Sequence, residues 1–150
     1  MTITETNTTL DWNEIRVGAE LPVLEIAVTA TVVVAGAIAT RDFMPVHHDR
    51  DYANMQGAPD IFTNIMTDNG YCSRFLTDWA GPEAMVKRLA IRLGAPACAG
   101  STLRYSGTVT GKSRAEGEGL VEVTFRAALA TGDHLSGTAV IGLPLSGARR

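Results

Sequence analysis

The chain has 150 residues, of which 45% are apolar and 19% charged, and a formal net charge of -3. That balance suits one globular domain over residues 1–150 with a full core, and it excludes a disordered chain. The acidic surplus argues against a nucleic-acid or anionic-membrane binder, which needs a basic face, and no apolar run reaches the roughly 18 residues of a bilayer span.

The N-terminal stretch MTITETNTTL is polar, with no basic start and no apolar core, so it does not read as a signal peptide. Residues 1–9 and 145–150 offer little to bury and read as loose tails. Cys72 and Cys98 are the two cysteines and lie far apart, which fits a reduced, cytoplasmic setting better than a disulfide framework.

Residues 23–40, VLEIAVTATVVVAGAIAT, are ambiguous: Val32, Val33 and Val34 favour a strand, whereas Ala35 to Ala39 suit a buried helix equally well. The next stretch, RDFMPVHHDRDY, concentrates histidine and aspartate. Asp49 is a plausible cap for a short helix, DRDYANM, ended by Gly57. Then DIFTNIMTDNGYCSRFLTDWAG shows helical spacing at Phe62, Ile65, Met66, Asn69, Cys72, Leu76 and Trp79. Asp60 or Thr63 could cap this helix, and Gly81-Pro82 ends it. Cys72 reads as a core residue and Trp79 as a core or interface residue. The last third is β: MVKRLAIRL, STLRYSGTVTG, GLVEVTFRAALA and HLSGTAVIGL, separated by glycine-rich turns that include AEGEG and TGDH. The segment Gly94-Ala95-Pro96 marks a bend or bulge. A long buried helix followed by an antiparallel meander is an α+β layout with the sheet wrapped on the helix.

Three chemistries compete for the histidine-rich stretch. His47, His48, Asp49 and Asp51 are all metal-ligand types, but adjacent residues diverge on any regular backbone, and His134 reads as lying far off in a turn; no metal is expected. Helix capping accounts for Asp49 and Asp51 but leaves Asp42 and His47 unexplained. Those two flank Pro45, whose bend can bring a carboxylate and an imidazole over one small volume, where they could hold and activate a water. On spacing alone that signal is weak.

The run RDFMPVHHDRDYA resembles the hydratase motif of the MaoC-like (R)-specific enoyl-CoA hydratases, which place Asp, Pro and His at this spacing. ATRDFMPVHHDRDYANMQGAPDIFTNIMTDNGYCSRFLTDWAGP and IRLGAPACAGSTLRYSGTVT look like the small subunit of the actinobacterial heteromeric steroid side-chain hydratases, a resemblance covering roughly residues 22–143. It implies a hotdog fold, a long central helix wrapped by a curved antiparallel sheet, with strand near 23–28 and helix near 30–40. It also implies that Asp42 and His47 are catalytic and position water for addition to a trans-2-enoyl-CoA. No cofactor is implied beyond the CoA thioester of the substrate. The enolate would be met by an amide at the start of the central helix: Phe62, Thr63 or Asn64. Lys87, Arg88 and Arg92 are candidates for the CoA phosphates. The chain departs from the family pattern by having Met44 in place of Asn, and Phe62-Thr63 in place of His-Gly. Both departures suit a chain that works in an oligomer of paired hotdogs, beside a second MaoC-like subunit that helps form the acyl tunnel and engages a thiolase-like aldolase. Two other readings are kept: a non-catalytic acyl-thioester-binding or scaffold subunit, and a thioesterase using Asp68.

Overall fold

The structure is a computed structural model that describes residues 8–145. Its elements are β1 (Leu24–Ala27), α1 (Ala30–Ala39), a single 3-10 turn (Pro45–His47), α2 (Arg50–Met55), α3 (Ile65–Ala80), β2 (Met85–Leu93), β3 (Thr102–Ala115), β4 (Glu118–Leu129) and β5 (Gly132–Pro144). The strands form one five-stranded sheet in the order β1-β3-β4-β5-β2, with every pairing antiparallel. Each of the four β runs of the sequence falls on a strand, although β3 extends four residues beyond its run and β5 starts two residues earlier. The meander, however, comprises β3, β4 and β5 alone. β2 crosses to the far edge and pairs with β5, because α3 delivers the chain there and not beside β3.

The segment of ambiguous propensity divides at Thr29. Its hydroxyl accepts the Val32 N–H, which caps α1 and stops β1 from running on through the valines. The sheet then closes on α3. Alternate residues of β4, Val121, Val123, Phe125 and Ala127, are buried while their neighbours Glu122, Thr124 and Arg126 are exposed. Phe75 of α3 meets Phe125 and Tyr105 at ring-centroid separations of 6.2 and 5.6 Å; an aromatic held this way is worth about 3–5 kcal/mol against alanine. Phe125 stands between Gly107 on β3 and Gly137 on β5, in register with both. A Cβ on Gly137 would come within 2.5 Å of the Phe125 ring, so glycine there is required by space. The hairpin between β3 and β4 turns on Glu116 and Gly117, with φ of 47° and 84°, as a two-residue primed turn demands.

Several sequence expectations change here. α3 is capped by Asn64, whose side chain accepts the Thr67 N–H, and not by Asp60 or Thr63. Its buried face is Asp68, Cys72, Phe75, Leu76 and Ala80. Ile65 and Met66 remain half exposed, although Asp68 in the same turn is buried against His134 of β5. Trp79 packs against the core cluster, and burial, the main cause, pushes the Cys72 thiol up to about 12, in keeping with a core residue. Residues 8 and 9, expected in a loose tail, are docked: the Thr9 hydroxyl accepts the Glu83 N–H, and the backbone there packs on Gly81 so closely that a Cβ would lie 2.5 Å from Thr9 Cα. Of the other expected tail positions, Leu145 directly follows β5, and 1–7 and 146–150 lie outside the described residues. Gly94 to Pro96 form a bend after β2.

His134 is not in a turn. β5 opposes Ala127 with Leu135 and Ala128 with Asp133, so His134 is the extra residue of a β-bulge. The bulge turns its ring into the core. There Nδ1 lies 2.6 Å from the Ala95 carbonyl, and Nε2 lies 3.2 Å from Asp68 Oδ1, with side chains 3% and 1% exposed. The approach to Asp68 is an ion-pair contact with no aligned hydrogen bond. Burial alone would drive the proton off His134, but the Asp68 carboxyl and the Ala95 carbonyl outweigh it and raise the imidazole above its usual range.

A raised folded-state value means that the proton contributes stability in full below about pH 6.5. That contribution is lost as pH rises through the folded value. We therefore expect the unfolding free energy to fall as pH rises from about 6.5 through the folded value, and this slope to shrink in the double variant Asp68→Asn/His134→Gln. Denaturant melts across that range check it; an unchanged slope would show that His134 gains no proton on folding.

Candidate active site

Helix α1 ends in a Schellman motif. The Asp42 N–H donates to the Ala37 carbonyl at 2.9 Å and the Arg41 N–H to that of Ile38 at 3.1 Å, with Arg41 at φ 57° in the position usually given to glycine. A non-glycine residue held in this region stores strain, of the kind that accumulates at functional sites. The motif places Asp42 directly beyond the helix. Pro45 then starts the 3-10 turn, which swings His47 back over Asp42.

His47 Nε2 comes to 3.2 Å from Asp42 Oδ2, with the imidazole 8% exposed and the carboxylate 33%. Nδ1 lies 2.7 Å from the Phe62 carbonyl. A carbonyl oxygen can only accept, so Nδ1 carries the proton. In its neutral form, then, His47 presents a lone pair at Nε2 toward Asp42. The Phe62 ring packs edge-on against the imidazole at 5.2 Å and fixes its plane. Oδ2 of Asp42 also accepts from the Asn64 carboxamide at 2.9 Å, and Oδ1 from the Met44 N–H at 3.3 Å. The Asn64 hydrogen bond is the largest influence on Asp42 and holds its carboxyl below the usual range. Burial opposes this, while the Met44 N–H and His47 assist.

The arrangement has two acceptors, Nε2 and the carboxylate, converging on one small space open to solvent. Such a pair can take both hydrogens of a single water and leave its oxygen lone pairs facing outward. That is the geometry of general-base activation. His48 is turned away, exposed, with its ring nitrogen 3.3 Å from the Phe43 carbonyl. Asp49 caps α2, its side chain accepting the Tyr52 N–H. Among the described residues no three His, Cys, Asp or Glu side chains converge as a metal-binding group.

The other candidate residues fare differently. The Thr63 N–H is engaged by the Ala97 carbonyl, so it is not available to an oxyanion. Phe62 contributes its carbonyl to His47, and Asn64 contributes its side chain to Asp42. Because the helix starts one residue after Asn64, the first-turn N–H groups without an intrahelical acceptor are those of Ile65 and Met66. Lys87, Arg88 and Arg92 all lie on β2, the sheet edge opposite β1. Lys87 is the extra residue of a bulge and pairs with Glu118 at 2.9 Å, while Arg88 and Arg92 project into solvent. The sequence reading missed the Asn64 side chain. Its only signal was an amide residue at a helix N-cap, which by itself says nothing about a partner 22 positions away.

No protein-family model matches the chain. It is 46% identical over 127 residues to the 3-oxo-4,17-pregnadiene-20-carboxyl-CoA hydratase beta subunit of Mycobacterium tuberculosis, spanning 85% of this chain and 95% of that one. Among solved structures it superposes on a chain of the ChsH1-ChsH2 complex from Mycobacterium tuberculosis with a TM-score of 0.79 and 44% identity, covering 85% of this chain and 98% of that one. The R-hydratase PhaJ1 from Pseudomonas aeruginosa, at 20% identity, shares the fold with a TM-score of 0.80 over 92% of this chain and 88% of that one. With an open Asp–His pair on a hotdog scaffold and this degree of likeness, the chain belongs to the MaoC-like enoyl-CoA hydratase family.

Proposed function

We propose that this chain is the acid–base subunit of a hydratase acting on a trans-2-enoyl-CoA with a bulky, steroid-type acyl group. The observation that carries the reading is the imidazole of His47, protonated at Nδ1 by its bond to Phe62 and open at Nε2 beside Asp42. A water held by Nε2 and the carboxylate adds its oxygen to the β-carbon as the pair takes up its proton. The π electrons move onto the thioester oxygen. The enolate collapses as the pair returns a proton to the α-carbon, so the net change is addition of one water. The amides of Ile65 and Met66, at the positive end of the α3 dipole, are the donors we assign to the enolate oxygen. Of the three cations on β2 we assign Arg88 and Arg92 to the CoA phosphates, since Lys87 is already neutralised by Glu118.

The acyl group and the partner are read from the surroundings of the pair. Ile38, Phe43, Met44, Ile65 and Met66 are 62%, 69%, 47%, 50% and 57% exposed, and they lie on the segments that carry the site. A polycyclic acyl chain and a second hotdog subunit would cover such a rim, and the steroid name of the M. tuberculosis relative supports both. Any link to a thiolase-like aldolase would run through that second subunit. The thioesterase alternative needs a carboxylate in contact with bulk water, and Asp68 is 1% exposed. A purely scaffolding role leaves the oriented pair unexplained.

Asp42→Asn and His47→Ala should each lower kcat about 10²–10⁴-fold at saturating substrate while the thermal melt stays two-state and close to that of the parent. Near-parental turnover in either variant excludes the pair as the acid–base centre. Turnover of a steroid enoyl-CoA should rise when the chain is combined with the product of its genomic neighbour. Full activity of the chain alone, unchanged by that addition, would instead identify a self-sufficient homomeric hydratase.

A further inference from the structure

We propose that Asn64 is a positioning residue for the reaction, whose carboxamide keeps Asp42 and neutral His47 side by side as two acceptors. This inference rests on the hydratase reading and assigns a specific task within it. The carboxylate and the imidazole stand 3.2 Å apart, and both must be held in place to accept from one water. Asn64 Nδ2 donates to Asp42 Oδ2, the oxygen that faces His47, at 2.9 Å. It thereby stabilises the ionised carboxylate and fixes its plane beside Nε2. The same nitrogen donates to Thr40 Oγ1 at 2.7 Å, tying it to the end of α1, and Oδ1 caps the Thr67 N–H at 2.9 Å. The carboxamide is thus held at both ends, and Asn64 is 3% exposed.

Few other groups could govern the pair's proton. α1 carries no titratable residue. His47 is the titratable member of the 3-10 turn, and His48 and Asp49 beyond it are directed to Phe43 and Tyr52. Arg41 is exposed, and the first turn of α3 holds only Asp68, which faces His134.

Asn64→Asp separates this task from helix capping, because aspartate caps a helix as well as asparagine does but cannot donate. It also sets a like charge beside Asp42. We expect the acid limb of the pH–kcat profile to move up by about one pH unit or more, kcat at about pH 7 to fall at least tenfold, and activity to recover as pH is raised. KM should stay near the parental value, while the melting temperature falls, since a second carboxylate is buried beside Asp42 and the bonds to Asp42 and Thr40 are lost. Asn64→Ala should lower both kcat and the melting temperature, since it removes the cap as well. A parental pH profile in Asn64→Asp, or a loss uniform with pH, overturns the inference. Carboxyl ¹³C titration of Asp42 in parent and variant tests the same point without turnover: an upward shift in the variant supports positioning and an unmoved titration overturns it. A parent inactive with its partner present would count against the hydratase reading separately.

Discussion

The carboxamide of Asn64 joins three parts of the chain: the end of α1 through Thr40, the carboxylate of Asp42, and the first turn of α3 through Thr67. Each of these bonds is modest, about 0.5–1.5 kcal/mol net for a neutral pair and more to a charged one. Their value lies in geometry. Asn64 sits where α3 leaves the segment 61–63, and that segment is bonded in turn to 97–99. The carbonyl that sets the His47 tautomer and the amide that steadies Asp42 therefore come from one rigid corner, two residues apart. Side chains fixed in this way are pre-organised for a small displacement of water, and little ordering is left for the moment of reaction.

The fold contains two aspartate–histidine pairs built to the same plan. In each, Nδ1 rests on a backbone carbonyl, Phe62 or Ala95, and Nε2 stands 3.2 Å from a carboxyl oxygen. They differ in what surrounds them. Asp42 accepts from two further donors, and its side chain is one-third exposed. Neither oxygen of Asp68 has an aligned donor, and the pair is sealed, so its balance favours a proton on His134. The same two residue types therefore give an open acid–base centre in one place and a pH-dependent core contact in the other. Both grip α3 near its start, one by way of Asn64 and the other through Asp68.

Around the open pair the chain leaves apolar side chains uncovered, while its own core closes over the later turns of α3. The sheet wrapped on this helix leaves part of its first turn exposed. The surface so exposed carries Ile65 and Met66 beside their unpaired amides. Apolar side chains and amides without an intrahelical acceptor thus adjoin within one turn of the helix terminus.

Period and turn chemistry made much of this legible in advance. The alternation in MVKRLAIRL and GLVEVTFRAALA follows from one face turned toward the protein and one toward water, so β2 and β4 could be read locally. The Asp49 cap and the Gly81 stop are likewise local chemistry. The division of residues 23–40 at Thr29 came from the family resemblance, because a valine–alanine run is apolar whether it is helix or strand. Asp42 and His47 were nameable from their spacing across Pro45 and that same resemblance. Three things were decided by the tertiary structure alone. Ile65 and Met66 follow the helical period yet remain half exposed, since burial depends on what the sheet covers. His134 sits beside a glycine-rich turn but points inward, since a bulge, set by the pairing of two strands, inverts its direction. And Asn64, passed over as a cap in favour of Asp60 or Thr63, holds Asp42 only once α1 and α3 have been brought together, a contact that no local pattern encodes.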